Sequence, residues 1–141
     1  MKRKASAVWR GGLKDGKGSI STESGVLKET QYSFGTRFEN GPGTNPEELI
    51  GAAHAGCFSM AFAAELGKAG LTPEAIHTTA NITLDKTDAG WTVTGSHLDV
   101  TVKVPGASET NVLGIANVAK AGCPISRLLN AKVTMDAKVE V

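Results

Sequence analysis

The sequence predicts an α+β fold, with antiparallel sheet packed on helices in the order βββ-α-ββ-α-α-β. Three observations predict it: a long and almost wholly apolar helical stretch between Asn45 and Gly70, period-two alternation on both sides of it, and Gly, Pro and Asn clusters in between. A length of 141 residues, 40% hydrophobic and 21% charged, suits one domain over 1–141 with a real core. The net charge is +1, and basic residues are scattered apart from Lys2-Arg3-Lys4. No aromatics accompany that triplet, so it is not a nucleic-acid surface; no apolar run follows it, so it reads as a solvated tip and not a signal peptide.

Taken in order, Ala5 to Arg10 reads as a first strand. Gly11-Gly12 and Lys14 to Gly18 are turn material, and Gly18 to Thr22 returns as the second strand of a hairpin. Glu23 to Gly25 breaks the pattern. Gln31 to Arg37 predicts a third strand, which delivers Arg37 just before the loop Asn40 to Gly43.

The long helix follows. Asn45 is a good N-cap, Pro46 suits the first helical position, and Glu48 sits where a capping box wants an acid. Lys68 lies in its last turn, and Gly70 is the expected C′ residue. Between Leu49 and Leu66 only His54, Ser59 and Glu65 are polar, which predicts burial nearly all round. The run approaches membrane-spanning length. Alanine and glycine fill nearly half of it, however, and Glu47, Glu48, His54 and Glu65 punctuate it, so the expectation is a helix buried in protein, with no membrane, in a cytoplasmic chain.

After Thr72-Pro73 the period drops to two. Ile76, Thr78, Ala80, Ile82 and Leu84 share one face, and His77, Thr79, Asn81, Thr83 and Asp85 the other. Asp88-Ala89-Gly90 turns the chain, and Trp91 to Val104 returns antiparallel. Its apolar positions change parity between Val93 and Leu98, which predicts a bulge near Gly95. Ser108 to Ala121 reads as an amphipathic helix stopped by Gly122. Cys123-Pro124 opens a short helical segment through Leu129, and Val133 to Val141 alternates as the last strand. One domain of this size covers one side of an apolar helix with its own sheet. Gly51, Ala52, Ala55 and Gly56 would let a second backbone approach the other side, which predicts a homodimer with two such helices packed together. The alternative is that the chain's own second helix covers that side.

The chemistry centres on the two cysteines, because in the cytoplasm a pair of thiols is inert core, metal-binding or redox-active. Only the thiolate attacks, so a reactive thiol needs a nearby cation or a helix N-terminus. Cys57 lies too deep in its helix for the dipole to help, and its activation must come from a side chain brought in from elsewhere. Cys123 precedes Pro124 and is expected at the N-cap of a short helix, where backbone N–H groups favour a thiolate. One arrangement these two allow is a peroxide-reducing pair, with Cys57 oxidised to a sulfenic acid that condenses with Cys123. Two ordinary buried cysteines are the plain alternative. A third reading uses His54-x-x-Cys57, three residues apart on one helical face, as a base and nucleophile of a cysteine hydrolase. One His and two distant Cys are a weak start for a zinc site, which wants four ligands, or three plus water. A helix-packed histidine hydrogen-bonded to a carbonyl suits His54 better than either, and His77 and His97 read as unclustered, solvent-facing strand residues.

The run Gly43-Thr44-Asn45-Pro46-Glu47-Glu48-Leu49-Ile50-Gly51-Ala52-Ala53-His54-Ala55-Gly56-Cys57-Phe58, with Ala119-Lys120-Ala121-Gly122-Cys123-Pro124-Ile125-Ser126 downstream, resembles the osmotically inducible protein C (OsmC/Ohr) family. Within it the likeness is to the OsmC branch, rather than to the sister organic hydroperoxide resistance proteins, and it includes Ser21 to Leu27. That resemblance implies a thiol-dependent peroxidase of the stress response, acting on organic hydroperoxides and more weakly on hydrogen peroxide. It implies an OsmC-like fold, with antiparallel sheets wrapped around the long central helices of an intertwined homodimer. By similarity Cys57 is the peroxidatic cysteine, Cys123 the resolving one, Glu47 the motif glutamate and Arg37 the active-site arginine. In the sister branch the arginine comes from the N-terminal hairpin, where this chain has Lys14 and Asp15, which leaves Arg10 as a weaker substitute for Arg37.

Glu47 and Cys57 lie ten residues apart on one helix, about 15 Å along its axis, so they do not touch within one chain. If Glu47 serves the thiol it does so from a partner subunit, with Arg37 supplying the cation and Glu47 fixing its fork. Phe34, Phe38, Phe58 and Met60 are candidates for an apolar wall beside an alkyl peroxide. An external dithiol, such as a dihydrolipoyl group, reopens the disulfide. No metal or cofactor is expected, since neither a Gly-rich phosphate loop nor a ligand cluster stands out.

Overall fold

A computed structural model describes residues 1–141. The chain forms two compact units, Met1–Leu49 and Ile50–Val141.

In the first unit, β1 (Ala5–Arg10), β2 (Lys17–Thr22) and β3 (Thr30–Tyr32) make an antiparallel meander, with Ala5 opposite Thr22 and Arg10 opposite Lys17. The expected third strand through Arg37 stops at Tyr32. Phe34–Phe38 form a short helix, α1, because Ser33 and Thr36 cap each other. The Thr36 N–H donates to Ser33 Oγ at 3.3 Å, and the Ser33 N–H donates to Thr36 Oγ1 at 2.8 Å. A threonine in place of the usual Glu or Gln of a capping box is why the helix start was not legible. Gly43 adopts φ 122° and passes directly against the Gln31 carbonyl, where a side chain would collide.

The long helix α2 spans Pro46–Lys68. The helix starts at Pro46 and ends before Gly70 as expected, but the expected capping box does not form. The Glu48 N–H donates to Asn45 Oδ1 at 2.7 Å, while the Glu48 carboxylate takes the Thr44 hydroxyl at 3.1 Å rather than closing a capping box. At the other end, Leu71 N–H to Leu66 C=O (2.9 Å), Gly70 N–H to Gly67 C=O (3.0 Å) and φ 75° at Gly70 make a Schellman motif.

In the second unit, β4 (Ala75–Thr87) and β5 (Gly90–Lys103) pair antiparallel. Thr83 faces Gly95 and Leu84 faces Val93, so Thr94 is the extra residue of the expected bulge. The last strand, β6 (Lys132–Glu140), runs parallel to β5, which makes this sheet mixed rather than antiparallel. Alternation carries no direction. What sets it is the crossover through α3 (Glu109–Gly122) and α4 (Pro124–Leu128), which returns the chain to the end where β5 began.

Phe58, Phe62 and Leu66 of α2 are buried with Leu98, Val100 and Val102 of β5, with Val104 just after it, and with Val112, Ala116 and Ala119 of α3. Burial all round α2 is not found. Gly51, His54, Phe58, Phe62 and Leu66 form one buried stripe, whereas Ala52, Ala53, Gly56, Ala64 and Gly67 are exposed and Met60 is 77% exposed. The second helix, α3, contributes to the same core and leaves that flank bare, which removes the alternative cover. Gly51 lies instead against Ala80 and Ile82 of β4, so it serves the chain's own sheet.

Candidate active site

The four candidate side chains fall into two pairs, one in each unit. In the second unit α2 presents Cys57, part-buried, to Cys123, which is fully buried at the junction of α3 and α4. Both are free thiols in hydrogen-bonding contact, and the Ile125 backbone also bonds the Cys57 sulfur. Burial pushes the Cys57 thiol above its ordinary range and the neighbouring Cys123 adds to that, while the Ile125 bond opposes it. The helix start thus serves Cys57, whereas Cys123 makes no side-chain capping bond. Taken alone, these surroundings hold Cys57 as a thiol, and a thiolate there requires a cation.

In the first unit the sequence places a cation with its partner. Arg37, on α1, donates from Nε (3.0 Å) and Nη2 (2.8 Å) to Oε1 of Glu47 in the first turn of α2. Asn45 ties the two helices together, its Nδ2 donating to the Thr36 carbonyl at 3.1 Å. The guanidinium stacks 5.5 Å from the Phe38 ring centre and lines a cavity of about 270 Å³ with Trp9, Leu13, Tyr32, Ser33, Phe34 and Phe38. An apolar cleft with one cation on its wall suits a small lipophilic molecule that bears a polar, charge-developing end.

Of the four aromatic or sulfur-bearing wall candidates, Phe34 and Phe38 line this cavity. Phe58 is fully buried in the core and Met60 lies on the exposed flank of α2, so neither belongs to it. Trp9, Leu13 and Tyr32 were missed. The available signal was aromatic scarcity: with two Trp and one Tyr in the chain, two of the three on exposed or half-exposed hairpin positions merit notice.

His54 is fully buried, with Nδ1 2.7 Å from Ser96 Oγ and Nε2 2.8 Å from Ser126 Oγ. Both ring nitrogens are occupied, which leaves none to act as base toward Cys57 and argues against the hydrolase reading. Burial lowers its pKa from the ordinary 6.5, favouring the neutral ring. Its partners are serine hydroxyls rather than a carbonyl.

His97 is not unclustered. Its Nδ1 lies 2.6 Å from Thr134 Oγ1, and its Nε2 lies 3.1 Å from Asp136 and 3.3 Å from Asp99. The three potential ligand atoms of His97, Asp99 and Asp136 fall within 4.8 Å of one another. That spacing is one a divalent ion takes, but the ring's hydrogen-bonding contacts with Thr134 and the two carboxylates account for it equally.

Comparison with known proteins agrees with this chemistry. Residues 39–138 match the family model described as OsmC-like protein. Over 138 residues the chain is 54% identical to Peroxiredoxin OsmC of Escherichia coli strain K12, covering 98% of this chain and 96% of that protein. Among solved structures, an OsmC-like protein of Vibrio cholerae superposes with TM-score 0.76 at 19% identity, over 97% of this chain and 99% of that one. The organic hydroperoxide resistance protein OhrB of Bacillus subtilis gives 0.68 at 21% identity, over 97% and 98%. The likeness first read from the motifs around Cys57 and Cys123 is borne out, and the chain belongs to the OsmC-like family.

Proposed function

We infer that this protein is a cysteine-based peroxidase that reduces organic hydroperoxides, and hydrogen peroxide more weakly, in defence against oxidative and osmotic stress. The observation that carries the reading is the contact of two free thiols, Cys57 and Cys123, in a chain 54% identical to a peroxiredoxin.

The Cys57 thiolate attacks the distal peroxide oxygen. The O–O bond breaks, the departing alkoxide takes up from solvent the proton that the Cys57 thiol released and leaves as the alcohol, and Cys57 becomes a sulfenic acid. The Cys123 sulfur then attacks the Cys57 sulfur, forming the disulfide and expelling water. An external dithiol, such as a dihydrolipoyl group, restores both thiols. Arg37 stabilises the thiolate and the charge that develops on the oxygens, with Glu47 aiming its fork. No metal or cofactor enters any of these steps.

The working unit is a homodimer. The exposed flank of α2 from Ala52 to Gly67 is small-residued and apolar, as a close helix–helix packing needs. About 15 Å of helix rise separates Glu47 from Cys57, so the Arg37–Glu47 pair of one subunit serves the Cys57 of the other. The upward push on the Cys57 thiol within one chain supports this, because it calls for a cation from outside. Both compact units are read as one OsmC-like domain over 1–141, since the family match crosses Leu49–Ile50. By length and composition α2 could cross a membrane. Its membership of a soluble enzyme and its partner-facing flank favour a cytoplasmic dimer.

The test is to incubate reduced protein with cumene hydroperoxide or hydrogen peroxide and map the cysteines by mass spectrometry. An intrachain Cys57–Cys123 disulfide, faster with the organic oxidant, is the expected result. Turnover retained in Cys57→Ser would overturn the reading.

A further inference from the structure

His54 is the buried titratable group that the peroxidase steps do not use. It sits three residues before Cys57, on the same face of α2. Its two hydrogen bonds reach in different directions, one to Ser96 on β5 and the other to Ser126 on α4, three residues after Cys123. Ser96 is itself fully buried. The chain of contacts Ser96–His54–Ser126 therefore runs from the sheet, through the helix that bears one thiol, to the short helix beside the other.

Besides that tie, α4 is held by its fully buried N-cap Cys123 and by the bond from the Ile125 backbone to the Cys57 sulfur. It is five residues long, contains no buried residue, and its N-cap, Cys123, makes no side-chain capping bond. A helix this short does not persist through its own backbone bonding. Ile125, between Cys123 and Ser126, packs on the core only in part. The bond from His54 to Ser126 is the side-chain hydrogen bond that ties α4 to α2, and it fixes the helix on the side that Cys123 and Ile125 do not bury.

We propose that His54 is a positioning residue for the resolving step, which holds α4 through Ser126 so that Cys123 stays within bridging reach of Cys57. The proposal rests on the peroxidase reading and adds to it a determinant of what happens to the sulfenic acid. Disulfide closure breaks the S–O bond of Cys57 sulfenic acid, forms the S–S bond, and releases the oxygen as water with the Cys123 proton. Its geometry is demanding, with Cα atoms about 4.4–6.8 Å apart. The competing reaction needs no such geometry: a second hydroperoxide adds another oxygen to the sulfenic acid, giving sulfinic acid and a second alcohol. Loosening α4 slows the first reaction and leaves the second untouched, so the ratio of the two products reports on the clamp.

The experiment uses the full-length reduced protein, cumene hydroperoxide in graded excess, and quantification of disulfide and sulfinic acid at Cys57 by mass spectrometry. Ser126→Ala removes one anchor with little volume change. Its sulfinic-to-disulfide ratio should rise about tenfold, the order expected for loss of one buried hydrogen bond. His54→Asn should move the ratio in the same direction, and Ser126→Thr, which keeps the hydroxyl, should restore it. A general loss of stability would not be rescued by threonine and would not favour sulfinic acid over disulfide. Native ratios in both Ser126→Ala and His54→Asn overturn the positioning role and leave the peroxidase reading standing. Absence of any Cys57–Cys123 disulfide in the native protein overturns the peroxidase reading, and the proposal with it.

Discussion

Arg37 and Glu47 meet in a one-sided fork. Both Nε and Nη2 converge on Oε1, at 3.0 and 2.8 Å, while Oε2 is buried without a hydrogen-bond partner. A carboxylate used in this way orients the guanidinium while leaving Nη1 out of the pair. The arrangement resembles a cation being aimed more than one being neutralised.

Arg37→Lys keeps the charge and loses the fork. Its kcat/KM for cumene hydroperoxide should fall about tenfold or more, as expected when a charge-assisted hydrogen bond is removed at the reacting atoms. Glu47→Gln should fall in the same direction by less. Iodoacetamide labelling of Cys57 against pH should shift upward in both, because a thiolate with a poorly aimed cation is harder to form. An unchanged labelling profile in Arg37→Lys would mean that the arginine does not serve the thiol.

The flank of α2 offers a separate test of the dimer. Met60, 77% exposed within one chain, is the largest side chain there. Met60→Glu would bury a carboxylate in a helix–helix contact, so sedimentation should show dimers giving way to monomers. Cys57 in the monomers should label more slowly at neutral pH than in the native protein, since burial alone pushes the thiol upward. A Met60→Glu protein that stays dimeric would place the interface elsewhere.

The motifs and periodicities were legible because each is local. Asn45-Pro46 at one end of α2 and Gly70 at the other are decided by a few neighbouring residues, and the parity change beside Gly95 gave the bulge. What local pattern does not encode was misread. The parallel direction of β6 depends on the crossover before it, and α1 depends on Ser33 and Thr36 capping each other. The apolar composition of α2 left two covers for its far flank, a second copy or the chain's own second helix, and only the folded chain shows that α3 leaves that flank bare. At the candidate site, motif likeness was enough to nominate Cys57, Cys123, Arg37 and Glu47. Ser96, 42 positions from His54, and Ser126, 72 positions away, are joined to it only by folding.

His54 gives stability a defined pH dependence. Its folded pKa lies below the ordinary 6.5, so in the acid range the unfolded chain binds the proton more readily. Stability from the neutral ring is present above about pH 6.5 and declines as pH falls toward the folded value. Thermal melts of the reduced protein should show Tm decreasing from pH 7.5 to 5, with the slope reduced in His54→Asn. Equal slopes in the two proteins would show that the ring is not held neutral.

Leu13 tests whether the cavity beside Arg37 selects the substrate. It lines the cavity yet is 67% exposed, so replacing it disturbs little of the core. Leu13→Glu puts a carboxylate at the mouth of an apolar cleft. An alkyl or aryl peroxide must then pass a charged rim and gives up apolar contact, at about 25 cal/mol for each Å² no longer buried. KM for cumene hydroperoxide should rise severalfold, while hydrogen peroxide, which has no apolar group to bury, should change much less. Equal effects on the two oxidants would mean that the cleft does not contact the organic group, and that any preference for organic peroxides is set elsewhere.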